Sequence, residues 1–209
     1  MTGSAVRTGV NEGEFHQALA LAVKALNEAV VPYVFMGGVA SIVLGRTSWT
    51  HDIDIFIAGA DEPRALDALV SAGFEIEPLE SSWLSKVRHG DVVVDLIRCA
   101  SGPVFLDDEM MARAVDGVVW GTAVKVIPPE DLVVTKALAH GEDTAHYWWD
   151  ALAVIAGVDL DWEYLLMRAR RGPRRVLSLL LYAQSMDLMV PDTAVRLLID
   201  AVFPHEVLS

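Results

Sequence analysis

The chain has a single cysteine, Cys99, among its 209 residues. An internal disulfide is therefore excluded, and a reducing cytoplasm is the expected setting. Cys99 itself reads as a small buried apolar residue. Long hydrophobic runs are also missing. The longest stretch without a charge, Ala29 to Gly45, is interrupted by Pro32, Gly37 and Gly38 and is shorter than the ~20 residues of a membrane-spanning helix. No membrane partner is expected, and the opening MTGSAVRTGVNEGEF lacks the apolar core of a secretion signal. Basic residues are scarce: 16 Lys and Arg against 29 Asp and Glu leave a net charge of −13, which argues against a broad nucleic-acid-coating surface. The scarcity is uneven, because residues 1–165 carry −15 and residues 166–209 carry +2. Arg168, Arg170, Arg171, Arg174 and Arg175 account for most of the positive end. They read as a solvated helix end around Gly172-Pro173 or, alternatively, as a phosphate-binding patch. The motifs of P-loop, Rossmann, serine-hydrolase and zinc-protease sites are absent as well.

What is present is apolar material, 53% of the chain with 22% charged, enough for a sizeable core in one or two units. Phe15, Leu19, Ala22, Val23 and Leu26 recur at helical spacing and predict a helix over 14–29. A short buried strand follows at 31–36, then a Gly37-Gly38 turn and a helix over 39–44. In His51-Asp52-Ile53-Asp54-Ile55-Phe56-Ile57 strict alternation puts Asp52 and Asp54 on one face of a strand and the isoleucines on the other. A helix over 62–72, a strand over 74–76, a hairpin of 83–89 and 92–97 turning at Gly90-Asp91, a helix near 105–115 and a strand pair near 118–127 complete an α/β (α+β) portion with a small mixed sheet. Beyond Pro128-Pro129 the pattern is helical throughout, over 130–140, 144–156, 161–171, 174–186 and 192–202. The expected division is an α/β unit over 1–128 and a helical unit over 129–209.

Two carboxylates at i, i+2 on a strand point the same way and repel, a conflict that a divalent cation removes. Mg²⁺ is typically held by one or two carboxylates plus substrate phosphates. A third acid on a neighbouring strand would let two ions clamp the oxygens of a phosphoryl displacement, and Asp95, embedded in an apolar strand, is the candidate. The Gly37-Gly38 turn before a helix would let backbone N–H groups approach a triphosphate. Arg46, Ser48 and Thr50 precede the acidic strand, where Ser48 and Thr50 could donate to the same phosphates or simply line a polar loop. Lys136 reads either as a phosphate contact or as a solvent pair with Asp131 or Glu130. Asp150, beside Trp148 and Trp149, reads as a site acid or as a buried hydrogen-bonding group.

The stretch FMGGVASIVLGRTSWTHDIDIFI resembles the signature of the DNA polymerase β-like nucleotidyltransferase superfamily, in which Gly-Gly or Gly-Ser precedes an Asp-x-Asp strand and a third acid lies on a later strand. The following PPEDLVVTKALAHGEDTAHYWWDALAVI is similar to the region after the palm in minimal and AbiEii-type toxin nucleotidyltransferases. The resemblance implies that Gly37 and Gly38 cradle the triphosphate of an NTP, that Asp52, Asp54 and Asp95 bind two Mg²⁺ ions, and that Asp95 helps activate an acceptor hydroxyl. It implies a phosphate contact for Lys136 and a lesser role for Asp150. Many members carry Ser where this chain has Gly38. Three functions follow as expectations: transfer of a nucleoside monophosphate to RNA, with a cognate antitoxin as partner; transfer to a small molecule, as in the aminoglycoside- and lincosamide-modifying enzymes that GG…LGRTSWTHDIDI also resembles; or a non-catalytic nucleotide- or partner-binding module.

Overall fold

The computed structural model describes residues 11–45, 50, 52–141 and 144–204. The first element among the described residues is α1 (Glu12–Glu28), whose Asn11 side chain caps it by accepting from the Gly13 N–H at 2.8 Å. Then come β1 (Tyr33–Phe35), α2 (Gly37–Val43), β2 (Asp52–Ile57), a short 3₁₀ turn, α3 (Glu62–Ser71), β3 (Glu75–Glu77), β4 (Leu84–His89), β5 (Val92–Ile97), α4 (Asp108–Arg113), β6 (Val115–Val119) and β7 (Thr122–Val126). Five helices follow: α5 (Pro129–Ala139), α6 (His146–Gly157), α7 (Trp162–Ala169), α8 (Pro173–Ser185) and α9 (Asp192–Val202). The expected α/β portion and the helical stretch beyond it are both present.

All seven strands form one mixed sheet in the order β3-β4-β5-β2-β1-β7-β6. Strands β2 and β5 run parallel, as do β1 and β7, while the hairpins β4–β5 and β6–β7 are antiparallel. Ile53, Ile55 and Ile57 are fully buried, as their alternation with the acids requires, and the removal of each from water stabilises by about 1.5–3 kcal/mol. Helices α1 and α3 pack on one another, and α2 touches β2, β6, β7 and α5. Among the described residues no helix is long and apolar enough to cross a membrane.

Local differences from the sequence reading have local causes. Gly37 and Gly38 are the first turn of α2 rather than a turn before it, with Gly37 in the left-handed region at φ 57°. Trp83 stays outside β4 and half-exposed, its carbonyl accepting from the N–H groups of Arg98 and Cys99 at 2.8 and 3.3 Å. Helix α4 is shorter than expected because Asp107 caps it, accepting from the Met110 N–H at 2.8 Å. Cys99 is only partly buried.

The arginine cluster is divided. Arg168 is buried, 5% exposed, with Nε 2.5 Å from Asp131 Oδ1 and Nη1 2.6 Å from Asp107 Oδ2. The Tyr164 hydroxyl donates to Asp131 Oδ2 at 2.5 Å. This network ties α4, α5 and α7 together, so Arg168 belongs neither to a solvated end nor to a phosphate patch. Arg171 and Arg175 donate to the carbonyls of Pro103, Leu138 and His140, and Arg174 lies over the Phe203 ring.

Candidate active site

Strand pairing assembles the site. In the parallel pair β2–β5, Asp54 lies beside Asp95 and Asp52 beside Val93. The tight β4–β5 hairpin sets Lys86 opposite Asp95, and β3 sets Glu77 opposite Lys86. Since residues in register share a face, Glu77, Lys86, Asp95 and Asp54 form one row of charges across four strands. Lys86 Nζ reaches both oxygens of Asp95, at 2.6 and 2.8 Å. Asp52, at the exposed start of β2, accepts from the Thr50 hydroxyl at 3.0 Å.

The two glycines are required sterically. A Cβ on Gly37 would fall on the Asp54 carboxylate, and one on Gly38 on the Thr50 side chain. The Gly38 N–H donates to the Asp54 carboxylate. Ser41, one turn into α2, donates to the Gly37 carbonyl at 2.8 Å. The acidic strand and the glycine turn are therefore in direct contact. Ser48, together with Arg46 and His51, lies outside the described residues.

Helices α5 and α6 form the opposite wall. A cleft of ≈ 280 Å³ opens between Gly37, Gly38, Thr50, Asp52, Asp54 and Asp95 on the sheet side and Lys136, Tyr147 and Asp150 on the helical side. Lys136 is buried and donates to Asp150 Oδ2 at 2.6 Å, with its ammonium 4.5 Å from the centre of the Tyr147 ring. The solvent pairing with Asp131 or Glu130 does not form. Positions 131 and 136 are roughly 140° apart around a helix, and Asp131 faces Tyr164 and Arg168 instead, while Glu130 accepts from the Asp161 N–H at 2.8 Å.

The electrostatics follow from this crowding. Burial, and then the charges of Asp52 and Asp95, push the Asp54 carboxyl from 3.8 up to about 7. Lys136 and the Gly38 N–H oppose the rise. Burial also raises Asp95, and Lys86 offsets part of that. Burial and the surrounding aspartates raise the Tyr147 hydroxyl. Repelling carboxylates with an excess of negative charge suit a hard divalent cation. Among the described residues, however, no three acids are gathered at metal-ligand spacing: Asp95 is held by Lys86 and Asp52 by Thr50.

Residues 15–163 match the family described as "Nucleotidyl transferase of unknown function (DUF2204)". The chain belongs to this nucleotidyl transferase family. Its fold is that of the DNA polymerase β-like superfamily, and the solved structures similar to this nucleotidyltransferase agree. One is an antigenic nucleotidyltransferase-like protein from Paracoccidioides brasiliensis, with 17% identity and a TM-score of 0.56 over 93% of this chain and 98% of that one. Another is ANT(2'')-Ia in complex with adenylyl-2''-tobramycin, with 18% identity and a TM-score of 0.52 over 82% and 99%. A third is the lincosamide antibiotic adenylyltransferase LnuA, lincomycin-bound, with 18% identity and a TM-score of 0.50 over 72% and 100%. At these identities the likeness is one of fold. No curated protein matches the sequence.

Of the residues singled out in the sequence, the nucleotidyltransferase brings Gly37, Gly38, Thr50, Asp52, Asp54, Asp95, Lys136 and Asp150 around one cleft. Lys86 is the residue that the sequence reading passed over. The signal for it was there: a two-residue turn at Gly90-Asp91 fixes the hairpin register and places Lys86 opposite Asp95.

Proposed function

We propose that this nucleotidyltransferase transfers a nucleoside monophosphate from an Mg²⁺-bound NTP to a hydroxyl of a small acceptor molecule, releasing pyrophosphate. The observation that carries the reading is the contact of three elements in one cleft: the Asp52/Asp54 strand, Asp95 in register beside it, and the Gly37-Gly38 turn against the Asp54 carboxylate. In this reading Asp52, Asp54 and Asp95 would hold the two Mg²⁺ ions. Bound there, the ions would neutralise triphosphate oxygens and polarise the phosphorus under attack. The Gly37 and Gly38 backbone, Ser48 and Thr50 take the phosphates, with Lys136, oriented by Asp150, at the helical wall. Asp95 accepts the proton of the acceptor hydroxyl as its oxygen bonds to the α-phosphorus and the bond to pyrophosphate breaks. The work is positioning and charge neutralisation more than acid–base chemistry.

Charge supports a small acceptor over RNA. Of the arginines that would have formed the basic contact surface, Arg168 is buried in an ion-pair network, and the exposed Arg171 and Arg175 donate to backbone carbonyls. The cleft itself carries four aspartates, a field that attracts a cationic acceptor and repels an RNA backbone, whose phosphates, unlike those of the proposed NTP, would not sit on the metal. Incubation of the protein with each labelled NTP and Mg²⁺, against a panel of hydroxylated amines and against total RNA, tests this. Label on a small molecule is the expected result. Label on RNA would restore the toxin-like reading, and no transfer to either would favour a binding module.

A further inference from the structure

Lys86 has no part in the transfer scheme above, yet it pairs with both oxygens of an acid of the sheet wall. Its ammonium lies 2.6 and 2.8 Å from the two oxygens of Asp95, which is where a cation bound by Asp95 would have to sit. The pair is lopsided in freedom: the Asp95 side chain is 12% exposed and that of Lys86 30%. Lys86 also borders a second, more open depression formed by the segment Leu79–Leu84, so its long stem has space to swing. A resting place is at hand. Glu77 lies directly opposite Lys86 on β3, sharing its carboxylate with Arg88 from the same side of the sheet.

We propose, taking the nucleotidyl-transfer reading as given, that Lys86 is a built-in counter-ion that occupies Asp95 in the resting protein. It acts as a two-position device. Facing Asp95, it neutralises the third acid and leaves Asp52 and Asp54 as the only open pair of the set. Turned toward Glu77, it frees Asp95. The resting protein therefore binds a divalent ion weakly, because the third carboxylate is taken and a positive charge stands close to the site. Lys86 thereby draws the Asp95 carboxylate toward β4, away from Asp54 on β2.

The test is a titration of the full chain, free of nucleotide, with Mn²⁺, reading the free aquo ion by electron paramagnetic resonance. Lys86→Met keeps the length of the stem and removes the charge. It should bind Mn²⁺ roughly tenfold or more tightly than wild type, since a unit charge about 5 Å from a divalent ion is repulsive to that degree even at the dielectric of water. Lys86→Arg should remain as weak as wild type, and the double variant Lys86→Met/Asp95→Asn should lose the gain. If Lys86→Met binds no better than wild type, or if the double variant keeps the gain, the proposal is overturned. Circular dichroism establishes that each variant is folded, and Lys86→Gln replaces Lys86→Met should the latter not be. Asp54→Asn should abolish Mn²⁺ binding in either background. Its failure to do so would count against the metal reading of β2, whatever Lys86 does.

Discussion

Asp54→Asn should make the metal-free protein more stable while destroying its activity. In the fold burial, and then the charges of Asp52 and Asp95, push the Asp54 carboxyl up from 3.8 to about 7. A carboxyl with a raised pKa favours its neutral form in the folded state. The penalty is absent below about pH 3.8, grows as pH rises to about 7, and is complete above that. At 1.36 kcal/mol per pH unit, the interval amounts to about 4 kcal/mol at pH 8, an upper figure because relaxation of the site reduces it. Asparagine has the same shape, can still accept from the Gly38 N–H, and carries no charge. For a chain of this size 1 kcal/mol moves Tm by about 2–4 °C, so a rise on the order of 10 °C in EDTA at pH 8 is expected. The rise should shrink toward zero by pH 4. Saturating Mg²⁺ should narrow the gap, since the ion neutralises the same carboxylate in wild type. The assay is thermal unfolding of both proteins at pH 5 and 8, with EDTA or Mg²⁺. Equal Tm values at pH 8 in EDTA would refute the claim that the site holds an uncompensated charge.

Asp52→Ala should leave the far-ultraviolet spectrum intact, because this side chain is exposed, should not lower Tm, because it removes a charge that presses on Asp54, and should lower transfer by on the order of a thousandfold in a labelled-NTP assay. Gly38→Val should weaken NTP binding measured by calorimetry, since its Cβ meets Thr50 and the crowding reaches the turn assigned to the phosphates. Asp150→Ala strands the buried Lys136 ammonium and should cost about 3–5 kcal/mol in urea unfolding. The pair Lys136→Met/Asp150→Leu should recover most of that stability without recovering transfer, which separates packing from phosphate contact.

The elements were legible because their signals are local. Alternation in Asp52–Ile57 and the Gly90-Asp91 turn are short-range patterns, and helices such as α9, with Ala194, Val195, Leu198 and Val202 buried, repeat with a clear period. That Gly37-Gly38 and the acids serve one site was legible in the residues, but their direct contact was not, since it depends on β1 and β2 being neighbours. Other features were hidden because they join distant elements. Nothing near Arg168 in sequence announces Asp107 and Asp131, which lie 61 and 37 residues away, so a buried keystone looked like a solvated cation. Lys136 and Asp150 are 14 residues apart on different helices, and their pairing exists only once α5 packs on α6. Lys86 was within reach of hairpin register, yet a lone lysine on a strand draws no notice until the acid opposite it is assigned a task.

The charges of the cleft, taken together, show where a ligand must act. Lys136 is matched by Asp150 and Lys86 by Asp95, which leaves the Asp52/Asp54 pair of β2 facing the opening. Its two members are held on one face by the period of the strand and cannot turn away from each other. The deficit is therefore concentrated at Asp54, the group whose carboxyl is driven up to about 7. In the proposed reading the return for this cost is binding: free energy that destabilises the empty site would be released when a divalent ion and its nucleotide enter. By linkage, a ligand that binds only the folded form raises stability by RT ln(1 + [L]/Kd). The metal that carries the proposed chemistry should thus also be the strongest stabiliser of the fold at pH 8, and a weak one near pH 5, where Asp54 is already protonated.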